Sequence, residues 1–193
     1  MVKQNERRQE MMNPSVVQKW INTTPNVLQV WLGQWQGEKR KRMDIALNFF
    51  KKHFGNYEDK YILSELMCID FAYPVKVISL PPKTTLVGYK DPRVSPFRGK
   101  YFTISGTPTD RLGLSSEGSL RYSPKAMNKM LVRYTVNVMI PEVLESRCAA
   151  TSDRWSDQQK QILVGGGGLQ YVIPQAYMYM VYTTPFPNRS AAK

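Results

Sequence analysis

The sequence predicts an α+β fold, with a helical part over residues 1–69 and a core of short strands over residues 70–193. Three observations carry this. Up to Met67 the apolar residues recur at three- and four-residue spacing, the period of one helix face. From Asp70 the period changes, and Val132, Tyr134, Val136 and Val138 alternate with Arg133, Thr135 and Asn137 as in a half-buried strand. Proline and glycine punctuate the second half, as turns between short strands require.

Taken in order, residues 1–12 are polar, and Asn13-Pro14-Ser15 reads as a helix start with Val16, Val17, Trp20 and Ile21 on one face. Thr24-Pro25 starts a second helix carrying Leu28, Trp31 and Trp35, which Gly37 interrupts. Glu38 to Phe54 is helical again through Met43, Ala46, Leu47 and Phe50, with Gly55 placed to end it in a left-handed turn. A short helix follows from Glu58 to Met67. Strands are expected at Val75–Leu80, Thr84–Tyr89, Arg98–Phe102 and Val132–Val138. Pro141 is expected to end the last of these before another at Val143–Ser146. Residues 147–164 are mostly polar and read as loop, and Leu169–Ile173 and Tyr177–Tyr182 are the final apolar runs.

Composition narrows the chemistry. The chain has 193 residues and 42% hydrophobic residues, enough to bury a core. The net charge of +12 calls for an anionic partner: nucleic acid, a membrane surface, an acidic protein or a phosphorylated small molecule. The densest run, Lys39-Arg40-Lys41-Arg42, falls in a helical pattern and reads as a solvated face. Cys68 and Cys148 have neither metal-ligand spacing nor the number for a disulfide framework. The lone histidine, His53, lies at a helix end where it complements the dipole. One histidine excludes paired-histidine ribonuclease chemistry and most zinc sites, and no metal site is expected. No run has the length of a membrane-spanning helix, no membrane partner is expected, and the polar N-terminus does not read as a signal peptide.

The most unusual stretch is Gly165 to Tyr171, GGGGLQY. Without Cβ atoms the backbone can take positive φ and approach another group closely. The run either forms a flexible hairpin loop or delivers the polar Gln170 to the mouth of a cleft. It is not a phosphate-binding P-loop, since no Gly-Lys-Ser/Thr follows, and a strand rather than a helix comes next. A basic cleft with aromatic residues and one placed glutamine suits a substrate that carries its own leaving group. The nicotinamide–ribose bond of NAD is such a case: the protein need only hold the dinucleotide, stabilise an oxocarbenium-like ribose and position water.

Several stretches together resemble the bacterial polymorphic toxin type 46 family and, more distantly, the tuberculosis necrotizing toxin family. They are Trp31–Phe50 (WLGQWQGEKRKRMDIALNFF), Ile69-Asp70-Phe71 with Pro74-Val75, Leu80–Tyr89 (LPPKTTLVGY), Gly99–Phe102 (GKYF), Leu112-Gly113, Trp155-Ser156 and GGGGLQY. The resemblance runs from about residue 27 to 175, and its most specific part is the glycine segment ending in Gln-Tyr. It implies an ADP-ribosyltransferase-like core of mostly antiparallel strands and NAD(P)+ glycohydrolase activity in an interbacterial toxin. NAD+ or NADP+ would be substrate, with no separate cofactor. Gln170 matches the functional glutamine that follows the glycines in the necrotizing toxins. Arg98, Gly99, Tyr101, Phe102, Arg121, Trp155, Gly168 and Tyr171 are the expected dinucleotide-binding residues. The sequence departs from the family pattern at Arg154, where threonine is common, and in the basic stretch Lys125–Met130.

Alternatives remain at this level. A mono-ADP-ribosyltransferase on the same fold would carry a Gln or Glu two residues before Gln170, where Gly168 stands. A basic RNA-targeting toxin would explain the charge but lacks a recognisable RNA-binding motif, so no nucleic acid is expected. A non-enzymatic module would make the glycines mere linkage. The resemblance further implies a cognate immunity protein, a secretion carrier or chaperone, export by a specialised secretion system, and action in the target-cell cytoplasm; the net charge of +12 makes an acidic immunity protein the expected one.

Overall fold

Helices on one face of an antiparallel sheet, and a second sheet on the other, make up the architecture in a computed structural model. It describes residues 23, 25–90, 95–108, 110–112, 130–153 and 162–183. The helix expected from Asn13, and Arg121 and Trp155, lie outside the described residues.

Three helices lead: α1 (Val27–Leu32), α2 (Gly37–His53) and α3 (Asp59–Leu66). Their apolar stripes meet in one cluster, in which Leu28, Phe50 and Leu63 are fully buried. Each such side chain contributes roughly 1.5–3 kcal/mol of transfer free energy. Trp35 falls beyond α1 and caps its open side, ring edge against Trp31 at 5.8 Å. Gly37 opens α2 at φ +61 rather than merely separating two helices. Gly55 does not take the expected left-handed turn; a Cβ there would lie 2.9 Å from the Lys51 carbonyl, and that approach is what selects glycine.

The basic run on α2 is more than a solvated face. Arg40 pairs with Asp44 at 2.8 Å, and Arg42 donates to the carbonyls of Phe71 and Ala72 at 3.1 and 2.7 Å. Arg42 thereby ties α2 to the turn in which the chain passes into the sheets. His53 likewise does more than face the helix dipole: its Nε2 lies 2.7 Å from Glu142, whose other oxygen accepts from Lys52 at 2.6 Å.

The strands are β1 (Lys76–Leu80), β2 (Thr85–Lys90), β3 (Tyr101–Phe102), β4 (Met130–Val136), β5 (Ile140–Arg147), β6 (Thr151–Asp153), β7 (Ile162–Val164), β8 (Leu169–Val172) and β9 (Met180–Tyr182). One antiparallel sheet has the order β1-β5-β8-β3, a second the order β2-β4-β9, and β6 pairs with β7. Val87 and Thr103 exchange backbone hydrogen bonds of 2.7 and 2.8 Å, which join the two larger sheets at their edges. Alternation along β8 sends Val172 into the helical cluster and Tyr171 into the cluster between the sheets.

Two expectations about the strands need correction. Pro141 does not separate strands but lies inside β5, where the register slips from Ile78↔Val143 to Leu80↔Ile140. The slip puts an extra residue on β5, and a bulge is where a missing N–H is tolerated. The polar segment 147–164 is not all loop: Thr151–Asp153 pairs with Ile162–Val164.

Candidate functional site

The glycine run is a close-packed bend, and three of its four residues have separate steric reasons to be glycine. A Cβ on Gly166 would fall 2.4 Å from the Cys148 carbonyl oxygen. Gly167 has φ +89, a conformation that side chains resist. A Cβ on Gly168 would fall 2.5 Å from the Arg111 carbonyl, which accepts the Gly168 N–H at 2.9 Å. Gly165 meets nothing. Arg147 holds the bend from outside, donating to the Gly167 carbonyl at 2.7 Å. The flexible-loop reading is therefore replaced by a bend wedged between the end of β5 and the 3-10 turn at Asp110–Leu112.

The bend delivers Gln170 to the second position of β8, on the helix-facing side and 5% exposed. Its Nε2 donates to the Cys68 carbonyl at 3.1 Å and to Ser146 Oγ at 3.2 Å. A backbone carbonyl can only accept, so the contact with Cys68 fixes which end of the amide is the NH2. Gln170 is thus clamped rather than free at a cleft mouth, and Oε1 is the acceptor left for other use. Ser146 stands opposite it in register, 1% exposed.

The segment Arg98–Phe102 is a strand only at Tyr101–Phe102; Arg98 and Gly99 precede it as exposed residues, Gly99 at φ +88. Lys100 and Tyr101 both turn to Glu65 of α3: Nζ donates to Oε1 at 2.7 Å, and the Tyr101 hydroxyl donates to Oε2. Burial and the nearby Glu65 carboxylate push the Tyr101 phenol well above its usual range, so it stays a donor. Phe102, 2% exposed, stands edge-on to Tyr134 at 5.0 Å. Tyr171 pairs with Phe102 across β3–β8, and burial, with Glu145 beside it, raises its phenol. Phe102 and Tyr171 accordingly face the core between the sheets rather than presenting open rings.

The structure brings Gln170, Tyr171, Tyr101 and Phe102 onto adjoining strands, with Gly168 in the bend before β8 and Arg98 and Gly99 on the segment entering β3. Sequence reasoning missed Ser146, Glu65 and Lys90. Lys90 ends β2 and is 4% exposed, with Nζ 4.2 Å from the Phe102 ring centre and 3.4 Å from the Arg98 carbonyl. Period-two alternation could have flagged it, since Leu86 and Gly88 place Lys90 on the inward face of β2. Burial pushes the Cys68 thiol up to about 12 and Cys148 to about 11, so both are poor nucleophiles at neutral pH. Among the described residues, no cluster of His, Cys, Asp and Glu could hold a metal. A cavity of about 230 Å³ lined by Lys52, His53, Glu142, Gln175 and Tyr179 lies elsewhere, beside the first residues of β5.

A sequence profile of the bacterial toxin 46 family (Ntox46) matches residues 33–177. The NAD(P)(+) glycohydrolase toxin Tse6 of Pseudomonas aeruginosa is 31% identical over 133 residues, 68% of this chain. The match spans 30% of the length of Tse6. The solved structure of Tse6 in complex with Tsi6 superposes with a TM-score of 0.59 at 26% identity, covering 78% of this chain and 100% of that one. That of Rhs1-CT in complex with its cognate immunity protein RhsI1 gives a TM-score of 0.40 at 12% identity, over 58% of this chain and 80% of that one.

Proposed function

The chain belongs to the bacterial toxin 46 family, and on that premise we propose that it is the NAD(P)+-hydrolysing domain of an interbacterial toxin with an ADP-ribosyltransferase-like core. The carrying observation is the likeness to Tse6, a protein named for that activity, in sequence and in solved fold. The family match runs from the helices through the glycine bend and Gln170. Two antiparallel sheets joined at their edges, with Gln170 on a central strand, suit the proposed core.

In this reading Gln170 Oε1 accepts a hydrogen bond from a ribose hydroxyl, and it strengthens as positive charge develops on the sugar. The clamp by Cys68 and Ser146 keeps that oxygen oriented before substrate arrives. Arg98, exposed, takes the diphosphate, and Gly99 lets it approach the backbone. Tyr101 on the helix-facing side and Phe102 and Tyr171 on the other pack the strands that carry these groups, Gly168 gives the bend its close fit, and Arg121 and Trp155 are the further residues expected to bind the dinucleotide. Water attacks the ribose and nicotinamide leaves. A transferase would need an acceptor-orienting side chain two residues before Gln170, but a Cβ there would overlap the Arg111 carbonyl at 2.5 Å. Water is therefore the favoured acceptor.

The domain is exported by a specialised secretion system with a carrier or chaperone, acts in the target-cell cytoplasm, and is neutralised in its producer by an acidic immunity protein. Among the described residues, no helix is long and apolar enough to cross a membrane. Purified protein incubated with NAD+ or NADP+ alone is expected to release nicotinamide and ADP-ribose or its phosphate. Absence of nicotinamide with both dinucleotides would end the reading.

A further inference from the structure

We propose that Lys90 is a further substrate-binding residue, whose ammonium meets the diphosphate of the dinucleotide through the opening left by Gly99. The inference rests on the glycohydrolase reading above. Gly88 makes room for this side chain, and Gly99 lies beside its ammonium. A Cβ on Gly88 would lie 2.8 Å from Lys90 Cε, so glycine there admits the aliphatic stem. A Cβ on Gly99 would lie 3.8 Å from Nζ, and Gly99 is exposed. The bare glycine thus sets no side chain over the ammonium, which reaches the carbonyl of the exposed Arg98.

Lys90 lacks a counter-ion among the described residues. Among the described residues its Nζ reaches the carbonyls of Arg98 and Tyr101, at 3.4 and 3.5 Å, and the rings of Phe102 and Tyr134. From β4, the facing titratable group is Tyr134, a neutral phenol that donates to the Pro96 carbonyl. From the segment before β3, Arg98 is exposed and the Lys100 side chain turns to Glu65 on the other face. Asp91 lies outside the described residues. A buried ammonium without a carboxylate is costly, and a hydrophobic residue would serve the core better. Such groups concentrate at sites where a ligand supplies the missing charge. Burial lowers the Lys90 ammonium to about 8, so it loses its proton within the range where activity can be measured. A bound phosphate restores the proton, and binding weakens as pH rises past that value.

The test is steady-state hydrolysis of NAD+ by the full chain from pH 6.5 to 9.5, with inorganic pyrophosphate as competing anion, for wild type, Lys90→Met and Lys90→Gln. At pH 7 both variants are expected to raise KM about tenfold, with kcat little changed, and to weaken pyrophosphate inhibition about as much. Wild-type KM rises above pH 8 while that of the variants stays flat, a profile that a merely structural lysine does not produce. If neither variant folds, the wild-type pH profile still decides. A wild-type KM flat to pH 9.5, variants with wild-type KM, or a Lys90 ammonium in the free protein titrating above about 10, the ordinary lysine range, would each overturn the assignment. If wild type releases no nicotinamide at all, the glycohydrolase reading fails and this inference with it. That result is distinct from an active enzyme indifferent to Lys90.

Discussion

Gln170 donates to the carbonyl oxygen of Cys68 at 3.1 Å, so one side-chain amide joins the exit of α3 to the strand that follows the glycine bend. The bond gives Gln170 two functions at once. It holds helix to sheet, and it leaves Oε1 as the proposed acceptor for the ribose. Gln170→Ala is therefore expected to lower NAD+ turnover by about two orders of magnitude or more. Because the residue is buried, it also loses roughly 1–3 kcal/mol of stability from unpaired partners. Turnover and urea unfolding of the same preparation separate the effects. A folded Gln170→Ala protein with full activity would remove the catalytic assignment.

The four glycines are expected to respond to alanine in a fixed order. Gly166→Ala and Gly168→Ala force a Cβ to within 2.4 and 2.5 Å of backbone carbonyl oxygens, and both should unfold the bend or the domain. Gly167→Ala meets no atom but carries φ +89, a strain of about 1–2 kcal/mol. Gly165→Ala should be near neutral. Thermal melts of the four variants check the order; a neutral Gly168→Ala would contradict the packing against Arg111.

How much of this was legible in the sequence differs by element. The helices and β4 announced themselves because their apolar periods are sustained, and burial follows the period. Pro141 misled because a proline at a bulge looks the same in sequence as a proline that ends a strand. The β6–β7 pair was hidden because each strand is only three residues long, too short for a period to show. The bend at Gly165–Gly168 was visible, but its purpose was not: the atoms that exclude a Cβ belong to Arg111 and Cys148, distant in sequence. For the same reason the sequence placed Gln170 at the mouth of a cleft without its clamp, whose partners Cys68 and Ser146 come from other elements.

Tyr101 and Lys100 share the Glu65 carboxylate, and this cluster fastens β3 to α3. Tyr101→Phe removes the hydroxyl donor and should cost about 1.5–3 kcal/mol, the range for a hydrogen bond to a charged group. Lys100 still satisfies the other Glu65 oxygen, so the variant should fold. Urea denaturation measures the loss. A change below a few tenths of a kcal/mol would show that the phenol carries no such bond in solution.

The buried Lys90 makes stability depend on alkaline pH. An unfolded lysine titrates near 10.5, and the folded one at about 8. Between these values the unfolded chain binds more protons, so stability rises with pH. The gain should reach about 2 kcal/mol between pH 8 and 9.5. Above pH 10 the raised phenols of Tyr101, Tyr134 and Tyr171 reverse the trend, since the unfolded chain then releases protons first. Lys90→Met should be more stable than wild type at pH 7 and should lack the rise to pH 9.5. Unfolding free energies at several pH values test both, and a Lys90→Met protein less stable than wild type at pH 7 would mean that the ammonium stabilises the fold.

The net charge of +12 shapes the expected partner. A hydrolase of NAD(P)+ would poison its own producer, so the producer needs a protein that blocks the site before export. An acidic protein is drawn to this surface over a range set by ionic strength, about 10 Å at 0.1 M salt. The basic groups that steer it include Arg98 and Arg147, both exposed, the second bonded to the Gly167 carbonyl of the bend. A partner seated on Arg147 would also cover the glycine bend that leads into Gln170. Raising the salt should therefore slow association far more than it hastens dissociation, and Arg98→Glu should lower the on-rate without unfolding the domain. Stopped-flow or surface-binding kinetics against the product of the neighbouring gene supply the measurement. A basic partner, or an on-rate unchanged from low to high salt, would defeat the electrostatic argument. A complex that still hydrolyses NAD+ would show that the partner neutralises from elsewhere on the surface.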